Sequence, residues 1–235
     1  MSIERALILA AGFGKRLQPL TNITPKPLLK INNITLLENT IIFLKKFGIK
    51  SFAINAHYLS DQIVKFSEEF KNKYDLTIFK EKEILGTGGG IRNSLLFFQN
   101  KNFIVINSDT VWTEEYLSAL KDLNNKFDYH KALVGLLMVN KKNSYDPELV
   151  GDFSMKEDPY LFRERQEDNK LIYTGCQILN PKMINNKDNK NFSVHEIWDE
   201  AIDKNKMIGT VSDNIFYHAT NLEIYKKLEK IDIID

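Results

Sequence analysis

The chain has 235 residues, 43% of them apolar and 27% charged, with 32 basic side chains against 31 acidic ones. A net charge this near zero argues against a protein that coats nucleic acid, which would carry a basic stripe or tail, but it leaves room for a few cations gathered around a small anion. One cysteine, Cys176, excludes an intrachain disulfide and a thiolate metal cage, and reads as a small buried hydrophobe.

The first apolar run, ALILAAG, is too short for a signal peptide and lacks its cationic segment. No window approaches the ~18 apolar residues of a membrane span. The expectation is a soluble, cytoplasmic chain.

In chain order, RALILAA reads as a buried strand and TLLENTIIFLKKFG as a helix stopping at Gly48. SFAINAHY is a second strand, and SDQIVKFSEEFKNK a helix with Ser60 as its N-cap. LTIFKE is a strand, GIRNSLLFF a helix, NFIVINSD a strand and TEEYLSALKDL a helix. This alternation predicts an α/β fold whose mostly parallel sheet is covered on both faces, with ligands at the carboxyl ends of the strands. From about residue 131 the runs ALVGLLMVN, LVGDFSMK, PYLFRER and KLIYTGCQIL follow without intervening helices and suggest antiparallel additions, so the sheet is mixed. A helix (SVHEIWDEAIDKN), two short strands (MIGTVS and IFYHA) and a closing helix (LEIYKKLEKI) complete the chain. NNKDNKN at 185–191 reads as a solvated insertion. The expectation is one domain over 1–235.

The first strand runs into AAGFGKRLQPLTNITPKPL, residues 10–28. This is neither a Walker A loop, which needs GxxxxGK[ST], nor a dinucleotide fingerprint, because Leu17 stands where the third glycine would be. Gly12 and Gly14 let backbone N–H groups approach a phosphate. Arg16 supplies a planar fork of donors, and Lys26 a point charge between Pro25 and Pro27, which stiffen the loop. Together they suit a triphosphate.

LAAGFGKRLQPLT followed by PKPL resembles the signature of the sugar-1-phosphate nucleotidylyltransferases, enzymes that make nucleoside-diphosphate sugars. That resemblance implies a three-layer, Rossmann-like nucleotidyltransferase fold with a nucleotide-binding half over 1–130 and a sugar-binding half over 131–235. It adds Ala10 and Ala11 to the nucleotide contacts. EKEILGTGGGIRNSLL, residues 81–96, is similar to the family's base-binding loop, where Gly86, Thr87 and Gly88 would let a flat ring lie against the backbone. A carboxylate before the Leu-Gly-Thr, Glu81 or Glu83, would accept from guanine or uracil N–H groups, which argues against adenine and cytosine. Asp109, ending the strand NFIVINSD, matches the family's Mg²⁺ ligand, and a hard cation prefers such oxygen donors.

The family's second metal ligand is usually an Asp near the C-terminus. His218 stands at that position, softer than Mg²⁺ prefers, although Mn²⁺ would accept it. Asp213 is near but at the wrong offset. On the sugar side the resemblance implies Asn107, Gly151 in VGDF and Gly175 in YTGCQILNP, with Glu164 and Arg165 nearby. His57, His195 and Trp198 read as structural.

The triple glycine is more like the branch that couples UTP to N-acetylmuramate 1-phosphate than the mannose branch. Transfer of UMP to that sugar is the first reading. A mannose- or heptose-1-phosphate guanylyltransferase is the runner-up, and a non-catalytic nucleotide-sugar sensor, its metal site impaired by His218, is the rival class. The substrates implied are a nucleoside triphosphate and a sugar 1-phosphate, with no nucleic acid or membrane, in a monomer or homodimer. Longer relatives carry a hexapeptide-repeat domain that this sequence lacks. Arg16, Lys26 and Asp109 are the expected catalytic residues, with Lys26 in an exposed loop.

Overall fold

The computed structural model describes residues 2–164, 169–185, 187 and 190–234. The chain begins with β1 (Arg5–Leu9), three short 3-10 turns within residues 15–28, the hairpin of β2 (Lys30–Ile31) and β3 (Ile34–Thr35), and α1 (Leu36–Phe47). It continues through β4 (Ser51–Ala56), α2 (Ser60–Phe70), β5 (Asp75–Lys80), α3 (Gly86–Asn93), β6 (Phe103–Asn107) and α4 (Tyr116–Tyr129). The second half holds β7 (Val134–Asn140), β8 (Ser154–Glu157), β9 (Tyr160–Phe162), β10 (Leu171–Leu179), α5 (Lys182–Asn185), α6 (His195–Asp203), β11 (Met207–Ser212) and α7 (Leu222–Leu228).

Nine strands form one mixed sheet in the order β5-β4-β1-β6-β10-β7-β11-β9-β8. The strands β5, β4, β1 and β6 are parallel, β10 is antiparallel to both its neighbours, and β7 and β11 are parallel. The later strands are therefore not all antiparallel additions: β10 inserts between β6 and β7 and carries the sheet across both halves of the chain. Alternation along the strands sorts the core into two sides. Ala6, Ile8, Ile54 and Ile106 face α1, α2 and α4, whereas Leu7, Ala53, Val105 and Leu136 face α3, α5 and α6. That is the expected three-layer α/β/α arrangement. Within the described residues, no helix is long and apolar enough to cross a membrane.

Local chemistry accounts for several boundaries. Thr35 caps α1 by accepting from the Glu38 N–H at 3.0 Å, and Gly48, at φ 119°, ends it in the left-handed region. Ser60 is not an N-cap: Leu59 takes that position at φ 49°, with no side-chain cap. IFYHA forms no strand and contributes only isolated bridges, Ser144 to Phe216 and Thr110 to His218.

The largest departure from expectation is α3, which begins at Gly86 and takes the glycine run as its first turns. Glycine is a poor helix former, and the compensation is tertiary. The Phe192 carbonyl accepts from the N–H groups of Gly88 and Gly89 at 3.0 and 3.3 Å, satisfying donors that a helix start leaves free. The described part of 185–191 is thus more than a solvated insertion: the Lys190 carbonyl lies against Gly89, and Asn191 Nδ2 donates to the Ile84 carbonyl at 3.2 Å. A Cβ at Gly88 would sit 2.4 Å from the Phe192 ring and 2.8 Å from its carbonyl oxygen. Gly88→Ala is therefore expected to lower stability by about 1–3 kcal/mol, despite alanine's better helix propensity. Chemical denaturation of the two proteins measures this; an unchanged midpoint would refute the packing account.

Candidate active site

The carboxyl ends of β1, β4 and β6 open into a cleft of about 400 Å³, lined on one side by residues 9–12 and 14–17 and on the other by Glu81, Ile84, Gly86 and Thr87. Lys26, Asn107 and Asp109 complete its floor. Ala10, Ala11, Gly12, Gly14 and Arg16 are thus gathered at one place, as the sequence predicted.

The phosphate-type loop has its own internal logic. Gly14 adopts φ 64°, and a Cβ there would lie 2.8 Å from Thr21 Cγ2, so backbone and packing both require glycine. Its carbonyl accepts from the Leu17 N–H and the Thr21 hydroxyl, both at 2.9 Å. Leu17 is 1% exposed and joins Leu29, Ile31, Ile224 and Tyr225 in a third apolar cluster under α7. This explains why a leucine replaces the glycine of a dinucleotide loop: it bolts the loop down and leaves its neighbours Lys15 and Arg16 exposed in the cleft. Lys15 was not singled out in the sequence, although its place beside Arg16 was a signal. Its Nζ lies 5.4 Å from the centre of the Phe13 ring.

Lys26 is not in an exposed loop. Its side chain is 12% exposed, and its ammonium donates to Asp109 Oδ2 at 2.7 Å. His218 Nε2 stands 3.2 Å from the same oxygen, and His218 Nδ1 lies 3.0 Å from Thr220 Oγ1. The two strips 109–111 and 217–219 are laid side by side, with the Ala219 N–H donating to the Asp109 carbonyl at 2.9 Å and the Val111 N–H to the Tyr217 carbonyl at 2.8 Å. Burial by itself would raise the Asp109 pKa, but Lys26 and His218 together hold it well below the usual carboxylate range. The other oxygen, Oδ1, is buried without a hydrogen-bond partner among the described residues.

That orphaned oxygen is a fit for a hard cation that keeps most of its ligands as water and phosphate. Among the described residues, no group of three or more His, Cys, Asp or Glu side chains gathers into a fuller cage. Asp213 is exposed and does not substitute.

Opposite the cations, Glu81 is 7% exposed while Glu83 is exposed. Gly86 and Thr87 line the cleft, but Gly88 faces Phe192 instead. His57 Nδ1–H donates to the Glu81 carbonyl at 2.9 Å, a structural role for that histidine. Asn55, which the sequence reading passed over, also lines the cleft; a buried Asn in an apolar strand was its signal.

On the sugar side, Gly175 at φ 91° packs against Asn107, where a Cβ would come within 2.9 Å. Gly151 lies elsewhere, against the Asn169 backbone. Glu164 accepts from the Ser154 hydroxyl at 3.0 Å, and Arg165 lies outside the described residues. Asp152 Oδ2 accepts from the Tyr173 N–H at 2.8 Å, and burial raises its pKa. His195 packs on Trp198, whose indole donates to Gln177 Oε1 at 2.9 Å.

The sequence model of the family described as nucleotidyl transferase matches residues 5–187. The chain belongs to that family. The N-acetylmuramate alpha-1-phosphate uridylyltransferase of Caulobacter vibrioides is 25% identical over 91% of this chain and 90% of its own length. The D-glycero-alpha-D-manno-heptose 1-phosphate guanylyltransferase of Campylobacter jejuni is 32% identical over 90% and 92%. The chain spans about half (51%) of the length of mannose-1-phosphate guanylyltransferase 1 of Arabidopsis thaliana, which it also matches. In fold it superposes on HddC from Yersinia pseudotuberculosis with a TM-score of 0.76, at 22% identity over 97% of this chain and 99% of that one. This nucleotidyltransferase therefore has the fold that its first loop implied.

Removing Lys26 leaves a buried carboxylate with a weaker set of partners. Lys26→Ala is expected to cost up to roughly 3 kcal/mol at neutral pH, and adding Asp109→Asn should return most of it. The sign with pH follows from the depressed Asp109 pKa. In the wild type its contribution is complete above the unfolded value of 3.8 and fades as pH falls through the lower folded value. The deficit of Lys26→Ala should accordingly shrink on acidification toward that range, read by denaturation at several pH values. A deficit independent of both pH and Asp109 would exclude the pair as its source.

Proposed function

We propose that this nucleotidyltransferase moves a nucleoside monophosphate from a nucleoside triphosphate to a sugar 1-phosphate and releases pyrophosphate. The observation that carries the reading is the cationic end of the cleft, Lys15, Arg16 and Lys26, meeting a carboxylate with one unpartnered oxygen. The first choice of substrates is UTP and N-acetylmuramate 1-phosphate, supported by the Caulobacter relative's near full-length match. A guanylyl transfer is the second reading, favoured by the higher identity of the Campylobacter relative. We place the reaction in the cytoplasm.

In this reading an oxygen of the sugar phosphate attacks the α-phosphorus. The new O–P bond forms as the bond to the β-phosphate oxygen breaks, and pyrophosphate carries the electron pair away. The nucleophile is already anionic, so no general base is needed, and catalysis is positioning and charge neutralisation. Arg16, with Lys15 beside it, takes the β- and γ-phosphates. Lys26 takes the α-phosphate and the incoming phosphate. Asp109 Oδ1 would hold Mg²⁺, with His218 beside it as the second candidate ligand. When bound, that ion would neutralise phosphate charge. Asn107, which lines the cleft, and Gly175 packed against it are the candidate contacts for the sugar.

Pyrophosphate release with Mg²⁺, for UTP, GTP, dTTP, CTP and ATP against N-acetylmuramate, mannose, glucose and heptose 1-phosphates, tests the reading. Turnover is expected with UTP and the muramate sugar; turnover with GTP moves the protein to the second reading. No turnover on any pair, with nucleotide still bound, would refute catalysis and favour a sensor. Lys26→Ala, kept folded under the assay conditions, should lower kcat by roughly a hundredfold or more. Unchanged turnover would remove Lys26 from the mechanism.

A further inference from the structure

One buried polar residue of the cleft wall has no part in that account. Asn55 is 3% exposed; its Oδ1 accepts from the Ala10 N–H at 2.8 Å, and its Nδ2 donates to Glu81 Oε1 at 2.8 Å. Ala10 follows β1, Asn55 lies on β4 and Glu81 follows β5, so the relay spans three adjacent strands at their carboxyl ends. A buried amide costs free energy unless both its ends are satisfied, and here both are. The helix in front is shaped around the pair. A Cβ at Gly90 of α3 would lie 2.7 Å from Asn55 Nδ2 and 3.0 Å from Glu81 Oε1.

Glu81 is the acidic wall of a cleft whose other wall is cationic. Its only other side-chain hydrogen bond among the described residues is a long one, 3.4 Å from the Leu85 N–H. The ends of β5 and β6, which carry Glu81 and Asp109, are separated by three strand spacings, roughly 14 Å. A ligand that spans this cleft carries phosphates at one end and N–H donors at the other, which is the polarity of a nucleoside triphosphate.

We infer that Asn55 is the positioning residue for base selection. By tying the Glu81 carboxylate to the Ala10 backbone, it fixes the acceptor relative to the loop that holds the phosphates, with Gly90 as the slot that admits the pair. Guanine and uracil, which present ring N–H groups, are accepted. Adenine and cytosine, which present a ring-nitrogen acceptor beside their amino group, are refused. This rests on the proposed use of the cleft for a nucleoside triphosphate.

Calorimetric titration of UTP, GTP, CTP and ATP with Mg²⁺ tests it without requiring turnover. The wild type should bind UTP or GTP at least tenfold more tightly than ATP or CTP. Gly90→Ala removes no polar group but crowds the buried pair; it should lower the melting temperature and, titrated well below that temperature where it is folded, reduce the ratio tenfold. Asn55→Asp, which sets two carboxylates face to face, should do the same and lower the melting temperature. The double variant Asn55→Asp/Glu81→Gln exchanges donor and acceptor; it should recover the melting temperature but not the base preference. An unchanged ratio in folded Gly90→Ala and Asn55→Asp, or a wild type indifferent to the base, overturns the inference. Base-selective binding without pyrophosphate release would refute the catalytic reading and leave this one standing.

Discussion

A carboxylate cannot be buried cheaply without compensating charge or hydrogen-bonding partners, and Asp109 draws its partners from two distant stretches of chain. Lys26 comes from the loop after β1, and His218 from the strip between β11 and α7. Asp109 itself ends the segment after β6. One oxygen therefore joins three loops that the sequence keeps far apart, and the arrangement of the cationic end of the cleft follows from that junction. The backbone pairing of 109–111 with 217–219 fixes where the imidazole stands, and the apolar cluster beneath α7 fixes where the first loop stands.

The sheet supplies the frame for this junction. The parallel strands β4, β1 and β6 bring their carboxyl ends to one edge, so loops widely separated in the chain meet in a single cleft. Insertion of β10 beside β6 then places Gly175 against Asn107, extending the same edge into the second half of the chain. Polarity along the edge is ordered, with an acidic side chain at the β5 end and cations toward β6.

Glycine does three separate jobs here, and they are distinguished by what surrounds each one. Gly14 supplies a left-handed turn under a crowded threonine. Gly88 and Gly89 give way to the 190–192 segment, and Gly90 to a buried amide–carboxylate pair. Of the residues expected to let a flat ring lie against the backbone, Gly86 and Thr87 line the cleft, whereas Gly88 packs against Phe192.

Local chemistry alone determined most of the strands and helices and the first loop, because hydrophobic period and the spacing of Gly, Arg and Lys are short-range signals. Arg16 and Lys26 were legible for that reason, whereas Asp109, and Glu81 as an alternative to Glu83, were singled out by the resemblance to the family. The start of α3 was not, since its caps come from the Phe192 carbonyl about a hundred residues away. Nor was the burial of Lys26, which depends on Asp109, or the role of Asn55, which bridges a backbone amide of one strand and a side chain beyond another. Such contacts leave no periodic trace in a sequence: each is decided only when the sheet brings distant strand ends within hydrogen-bond reach.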